Sequence, residues 1–378
     1  LQKFKKFLED NNPNHEQLIN SIKIIYASIK DNMGKNKNAL IYDMDTINIQ
    51  DKIEQYLPVR KIEKDEYGEV FTPQSLIEEM LSTLDDKIWS NPKLKWLDPA
   101  NGVGNYPMVV FNKLDKGLMK WEPEKKKRQK HIIKNMLYMV EINKKNYAIS
   151  RKIFGEDANI FCGSFFTKNY DAVNPDILKK FNLDKFDVIM GNPPYNTGGI
   201  GRESNISIDI DFIINSLKLL THKGYLLYVV KTGWRSISNK KDKKMPILRD
   251  LLSNTTIEMT KVFDFSENPF KENVLVNYVL IKNEINTESI KTKYLFNGNI
   301  TEGLIDYKSN IYFEHRDYIK KLKKLVDKYE HLGHITRKKP KNKKFLLISH
   351  RKSDVLTELP PESKDDQFYV IENPNKLM

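Results

Sequence analysis

Midway along the chain an apolar run, Phe186-Asp187-Val188-Ile189-Met190, leads into Gly191-Asn192-Pro193-Pro194-Tyr195-Asn196. A buried strand is an unusual place for two consecutive prolines. Their rings fix φ and remove two backbone donors, leaving nearby carbonyls free to accept. The Asn192 side-chain oxygen and the Pro193 carbonyl together suit both hydrogens of one planar amino group. Gripping those hydrogens draws the nitrogen lone pair out of conjugation and toward an electrophile. Pro194 stiffens the turn, and Tyr195 supplies a ring face on which the amine-bearing ring can stack. A rigid turn alone explains the prolines but not the whole tetrapeptide.

Two earlier segments complete a candidate site. In Trp96-Leu97-Asp98-Pro99-Ala100-Asn101-Gly102-Val103-Gly104-Asn105 a strand pattern ends in a glycine turn before a helix. Gly102 and Gly104 allow close backbone approach to a nucleotide-like ligand, and Asp98 is placed to accept from a cationic amino group. By itself this glycine turn is weak evidence, shared with nicotinamide enzymes and many turns that bind nothing. The next strand, Leu137-Tyr138-Met139-Val140, ends in Glu141, where a carboxylate can accept from both hydroxyls of a ribose. Together the two segments suggest an adenosine-containing cofactor.

Strand and helix patterns alternate from about Tyr67 to Glu284. The expected strands are Leu94–Leu97, Met136–Val140, Asn159–Cys162, Val188–Met190, Tyr225–Val230, Lys261–Phe265 and Leu275–Ile281. Helical patterns cover Pro73–Leu84, Pro107–Lys113, Lys145–Phe154 and Asp209–Leu220. The alternation predicts an α/β fold with a mostly parallel seven-stranded sheet and helices on both faces. Ligands of such sheets bind beyond the carboxyl ends of the strands. Residues 1–66 read as a helical segment that packs on the following domain, and residues 285–378 as a carboxyl-terminal region. Glu122–Lys134 and Lys240–Lys244 read as solvated basic loops.

With the Asn-Pro-Pro-Tyr segment and Gly68-Glu69-Val70-Phe71-Thr72-Pro73 in place, the chain resembles the S-adenosylmethionine-dependent N6-adenine methyltransferases of DNA. The motif order is that family's gamma arrangement. The resemblance covers residues 67–284 and implies a Rossmann-like methyltransferase domain, with the region after it recognising DNA sequence. It also implies residue roles. Thr72 and Pro73 would lie near the methionine portion of the cofactor. Asp98, Gly102 and Gly104 match the cofactor loop and Glu141 the ribose-binding acid, while Asn192, Pro193, Pro194 and Tyr195 form the catalytic segment. Phe270, in a Pro-Phe turn, is the candidate for packing on the target base. Two positions depart from the family. Ser164 stands where an acid commonly accepts from the cofactor's adenine, although Phe165 beside it could pack on that ring, and Lys231 replaces a proline and is a candidate for phosphate contact.

Composition agrees with a polyanionic partner. Sixty-three Lys and Arg against 50 Asp and Glu leave a net charge of +13, which points to nucleic acid, although an AT-rich genome also enriches lysine. Arg337, Lys338, Lys339, Lys343 and Lys344 lie in a stretch without acids, His331–Ser353, and are candidates for the DNA backbone. The single cysteine, Cys162, excludes a disulfide framework and multi-cysteine metal sites and fits an intracellular, cytoplasmic setting. No apolar run of about 18 residues predicts a membrane span, and no metal is expected. Some relatives that carry the Gly-Glu-Val-Phe-Thr-Pro segment fuse a restriction nuclease, so a nuclease partner or domain outside this chain is a further expectation. Three alternatives stay open: a protein-glutamine methyltransferase, which uses the same tetrapeptide on a primary amide; an RNA-adenine methyltransferase; and a catalytically silent DNA-binding subunit.

Overall fold

The structure, a computed structural model, describes residues 39–43, 49, 72–196, 207–231, 244–262, 270 and 276–284, with the backbone of strands at 290–296, 299–305, 332–336, 345–349 and 367–372. The chain forms two compact units, residues 1–310 and 311–378.

In the first unit α1 (Gln74–Leu81) precedes β1 (Trp96–Asp98). There follow α2 (Asn105–Gly117), α3 (Lys125–His131), β2 (Leu137–Glu141), α4 (Lys144–Phe154), β3 (Asn159–Cys162), α5 (Pro175–Phe181) and β4 (Phe186–Gly191). Next come α6 (Asp209–Leu219), β5 (Leu220–Lys231), α7 (Lys244–Ser253), β6 (Thr256–Val262) and β7 (Val276–Lys282). Strands β8 (Ile290–Phe296) and β9 (Asn299–Ile305) complete the unit. The sheet order is β3-β2-β1-β4-β5-β7-β6-β8-β9. Strands β1 to β5 pair in parallel, and β7 is antiparallel to both β5 and β6.

Side-chain alternation gives each sheet face its own core. Trp96, Met139, Val188, Met190, Leu227 and Val229 face one layer, which contains residues of α1, α2 and α4. Leu97, Tyr138, Val140, Ile189, Leu226 and Tyr228 face the other, built on α5, α6 and α7. Central strands buried on both faces read as continuous apolar runs, which is why their positions are evident in the sequence. Ala39, Ile41 and Ile49 join the first core, so the described part of the amino-terminal segment packs on this domain.

The sheet holds nine strands rather than the expected seven, although each expected strand overlaps an observed one. Ile290-Lys291-Thr292-Lys293-Tyr294 and Asn299-Ile300-Thr301-Glu302-Gly303 carry too many polar residues to stand out as strands by pattern. They pair through the backbone, β8 with β6 and β9 with β8. The boundary expected at residue 284 therefore falls between two strands of one sheet. Strand β6 also lies earlier than the predicted Lys261–Phe265, and β5 starts five residues before the predicted Tyr225.

The loop expected at Glu122–Lys134 is a helix, α3, followed by a π-turn over Ile132–Met136. Its basic cluster is partly structural. Arg128 is 5% exposed, bonded through Nε to Asp115 at 2.7 Å and through Nη1 to the Glu122 carbonyl. Removing one member of a buried pair strands the other, at about 3–5 kcal/mol, and less where one partner keeps water access, as Asp115 does. Arg128→Met should lower unfolding free energy in urea by about 2 kcal/mol with DNA affinity unchanged. A fall in DNA affinity at unchanged stability would contradict this assignment.

The second unit contains β10 (Leu332–Thr336), β11 (Phe345–Ser349) and β12 (Gln367–Glu372) as an antiparallel sheet with β12 in the centre. Arg337, Lys338, Lys339, Lys343 and Lys344, which join its two outer strands in the sequence, lie outside the described residues.

Candidate active site

The strand order reverses between β1 and β4, and the crevice at such a switch point is where parallel sheets bind ligands. Both strands end in chemistry here: β1 in Asp98 and β4 in Gly191, immediately before Asn192. They are so close that a Cβ on Gly191 would lie 3.0 Å from Asp98 Oδ1. Gly191 has φ +151°, so both its conformation and its contact favour glycine.

Asp98 is buried. The Ala100 N–H donates to its Oδ1 at 3.1 Å. Burial pushes its carboxyl up to about 7, against the smaller opposing effect of that hydrogen bond. A carboxylate kept in these surroundings suits a cationic partner.

The glycine turn is braced from β2 and α4. Glu141 accepts from the Gly102 N–H at 2.6 Å and the Asn143 N–H at 2.7 Å, one on each carboxylate oxygen. Asn101 Nδ2 donates to Ser150 Oγ at 2.8 Å. Gly102, at φ +58°, has open space where a side chain would project, whereas a Cβ on Gly104 would strike the Phe154 ring at 2.5 Å. Gly102 thus leaves room for a ligand, and Gly104 serves the packing of α2 on α4. Ile142, directly after Glu141, is 53% exposed. It is a large apolar residue left open at the end of the strand that braces this turn, and it was not among the candidates from sequence.

At the end of β4 the Asn192 amide has two partners. Its Nδ2 donates to Thr72 Oγ1 at 3.2 Å, and the Tyr195 hydroxyl donates to its Oδ1 at 3.2 Å. Thr72 is buried just ahead of α1, whose cap is Pro73. The structure thus joins the Thr72-Pro73 segment to the catalytic tetrapeptide, a link that spans 120 residues of sequence. Pro193 is buried, and Pro194 and Tyr195 are half-buried. Tyr106 of α2 was not predicted. It is buried beside Thr72, and burial raises its hydroxyl well above the usual value, with Asp98 and Tyr195 near enough to add to the effect.

Lys231, at the end of β5, turns its ammonium toward its own chain. Its Nζ lies 3.1 Å from Ser207 Oγ, 3.3 Å from Asn196 Oδ1 and 3.9 Å from Asp209 Oδ2, with the Tyr195 ring centroid 5.9 Å away. Asn196 and Ser207 are also bridged through their backbones, and the Ile208 N–H donates to the Tyr195 carbonyl. Lys231 therefore closes the base of the segment that follows Tyr195. Ser164 accepts from the Phe166 N–H at 3.1 Å. Phe165 is buried in the second core, stacked on Phe212 with ring centroids 5.5 Å apart. Phe270 is buried in the first core. The structure places both rings in the protein interior rather than on an open rim.

Fold and site together are those of a doubly wound α/β protein with its candidate site at the strand switch point. The chain belongs to the N-6 DNA Methylase family, whose model matches residues 54–331. It is 26% identical over 308 residues to an "Uncharacterized adenine-specific methylase" of Mycoplasma pneumoniae, a match covering 62% of this chain and 72% of that one. Among solved structures it resembles the modification subunit of a putative type I restriction enzyme from Vibrio vulnificus, with TM-score 0.47 and 14% identity over 70% of this chain and 55% of that one. It also resembles a putative class I S-adenosylmethionine-dependent methyltransferase from Listeria monocytogenes, with TM-score 0.43 and 14% identity over 68% and 72% of the two chains. The chain spans little more than half the length of the Vibrio subunit. Its cofactor is S-adenosylmethionine, and the residues present fit it: a buried acid suited to an ammonium and an open glycine position follow one another after β1, and an exposed apolar residue follows the acid that ends β2.

Because the Asp98 carboxyl is raised on folding, its stabilising contribution is complete below about pH 4 and is lost as pH rises through about 7. In the cofactor-free protein Asp98→Asn should therefore match the parent in acid and become progressively more stable than it between those limits. Urea unfolding across pH 4–8 checks this, and a constant difference between the two proteins would refute it.

Proposed function

We propose that this chain transfers the methyl group of S-adenosylmethionine to N6 of an adenine in DNA, with the adenine flipped out of the duplex. The observation that carries the reading is the Asn192 amide at the end of β4, one residue from a glycine packed against the buried Asp98 carboxylate. A cation-seeking acid and an amine-gripping pair of acceptors thereby share one crevice.

When bound, the cofactor supplies an electrophilic sulfonium methyl. Asp98 would receive its ammonium, the turn at Gly102 would give its body room, and Ile142 would flank its adenine. Glu141 keeps the turn in place and offers its remaining lone pairs to the ribose. Asn192 Oδ1 and the Pro193 carbonyl accept the two N6 hydrogens, so the nitrogen lone pair turns toward the methyl. The methyl would come from the cofactor, whose sulfur would leave as a neutral thioether with the electron pair, and the surplus N6 proton would pass to water. Preorganised acceptors of this kind hold the developing positive charge without reorganising. Tyr195 stacks on the base, held by Lys231 at the foot of its segment. Flipping costs a few kcal/mol, offset by that stacking.

Family membership, the gamma order of the motifs and the net positive charge support DNA as the substrate. Arg337, Lys338, Lys339, Lys343 and Lys344 supply phosphate contacts, which make binding strongly salt-dependent. The same reading extends to a restriction nuclease, on another chain or elsewhere in this protein, that cuts sites this activity leaves unmethylated.

Asn192→Ala is expected to lower the transfer rate by about 100-fold or more while calorimetry finds cofactor affinity little changed. Tyr195→Phe should retain the rate, because its hydroxyl only occupies an acceptor that the amine needs, whereas Tyr195→Ala should lose most of it. Parental transfer by Asn192→Ala would remove the central residue from the mechanism.

A further inference from the structure

We propose that Lys231 and Asp209 are positioning residues that act on the substrate base through Tyr195, and that Lys231 makes no contact with DNA phosphate. The inference deepens the function proposed above and rests on it.

A lysine at the carboxyl end of a strand, in a protein that binds a polyanion, reads as a phosphate contact. Its surroundings here give the ammonium other work. Nζ lies 3.1 Å from Ser207 Oγ, 3.3 Å from Asn196 Oδ1 and 3.9 Å from Asp209 Oδ2. The Ser207 hydroxyl donates its one proton to Asp209 Oδ1 at 2.6 Å, so it presents only lone pairs to the lysine. Asp209 therefore holds Lys231 twice, through its charge and by turning the serine oxygen into an acceptor. The Asp209 side chain is 4% exposed, against 23% for that of Lys231. It stands in the first turn of α6, where the unpaired N–H groups of the helix favour a carboxylate. Swinging the ammonium out to a phosphate would strand this buried acid, which is costly.

The same contacts fix Tyr195 from both of its backbone sides. The Ile208 N–H donates to the Tyr195 carbonyl at 3.1 Å. Asn196, the next residue, pairs with Ser207 in an antiparallel bridge, and Lys231 donates to the side chains on both sides of that bridge. The ammonium also stands over the Tyr195 ring, 5.9 Å from its centroid, within the range of cation–π attraction. Backbone and ring are thus both held before a base arrives, and small errors of placement are expensive in catalysis.

The test uses the full chain with Lys231→Met, Lys231→Arg, Asp209→Asn, and the first and last of these each combined with Tyr195→Ala. The readouts are single-turnover transfer to adenine-containing duplex DNA and DNA affinity over a range of salt. Lys231→Met should slow transfer about ten-fold, while the slope of log affinity against log salt stays parental. Lys231→Arg keeps the charge and the donors and should restore most of the rate. Asp209→Asn should show a smaller loss in the same direction. Once Tyr195 is alanine, neither change should slow transfer further, because residues that act through one ring are not additive. Should Lys231→Met fail to fold, Asp209→Asn alone and with Tyr195→Ala decides. A salt slope shallower by about 0.9 in Lys231→Met, the share of one phosphate contact, would overturn the proposal. A parental rate in that variant would do the same, as would an undiminished loss in the Tyr195→Ala background. If the parent protein itself transfers nothing to DNA, the functional reading fails instead, and the parental control separates the two.

Discussion

The approach of β4 to β1 at their carboxyl ends is the constraint from which the rest of the site follows. Asp98 Oδ1 sits where a Gly191 side chain would begin, so the acid at one strand end and the amide after the other are separated by little more than a backbone. Parallel pairing of Trp96 with Val188 and of Leu97 with Ile189 sets that distance, and the two apolar cores hold the pairing. The chemistry needs a methyl donor and an acceptor nitrogen within reach of one another, and positioning of this kind accounts for a large part of what enzymes achieve.

Much of the polar architecture holds loops in place. Glu141 spends both carboxylate oxygens on backbone N–H groups, Asn101 leans on Ser150, and Lys231 ties the two feet of the segment after Tyr195. Asp98 differs. Its carboxyl is buried with one backbone donor named at Ala100, and its protonation near neutrality is the electrostatic expression of a site built for a charged guest.

The parts of this design that appear in the sequence are those with strong local signals. Apolar strands buried on both faces announce the sheet, the two glycines announce the turn, and Asn192-Pro193-Pro194-Tyr195 announces the grip on an amine. Pairings across long separations leave no such mark, as with Thr72 to Asn192 or Gly191 to Asp98. Tyr106 was hidden because an aromatic on an apolar helix face reads as core. Lysine-rich segments were the least reliable guide. Arg128 is a buried ion-pair partner inside a basic run, and the polar strands β8 and β9 take their place by backbone pairing that hydropathy does not register. Phe165 and Phe270 carry the opposite lesson, since aromatic residues near a motif are drawn to the core as readily as to a ligand.

The identity of the methylated atom tests the account most directly. Methyl-labelled S-adenosylmethionine would be offered with duplex DNA, single-stranded DNA, RNA and protein, and the products digested to nucleosides or amino acids. The label is expected in N6-methyladenine from DNA. Label in methylcytosine, in RNA alone or in a glutamine side chain, or none in any acceptor while the cofactor still binds, would contradict it.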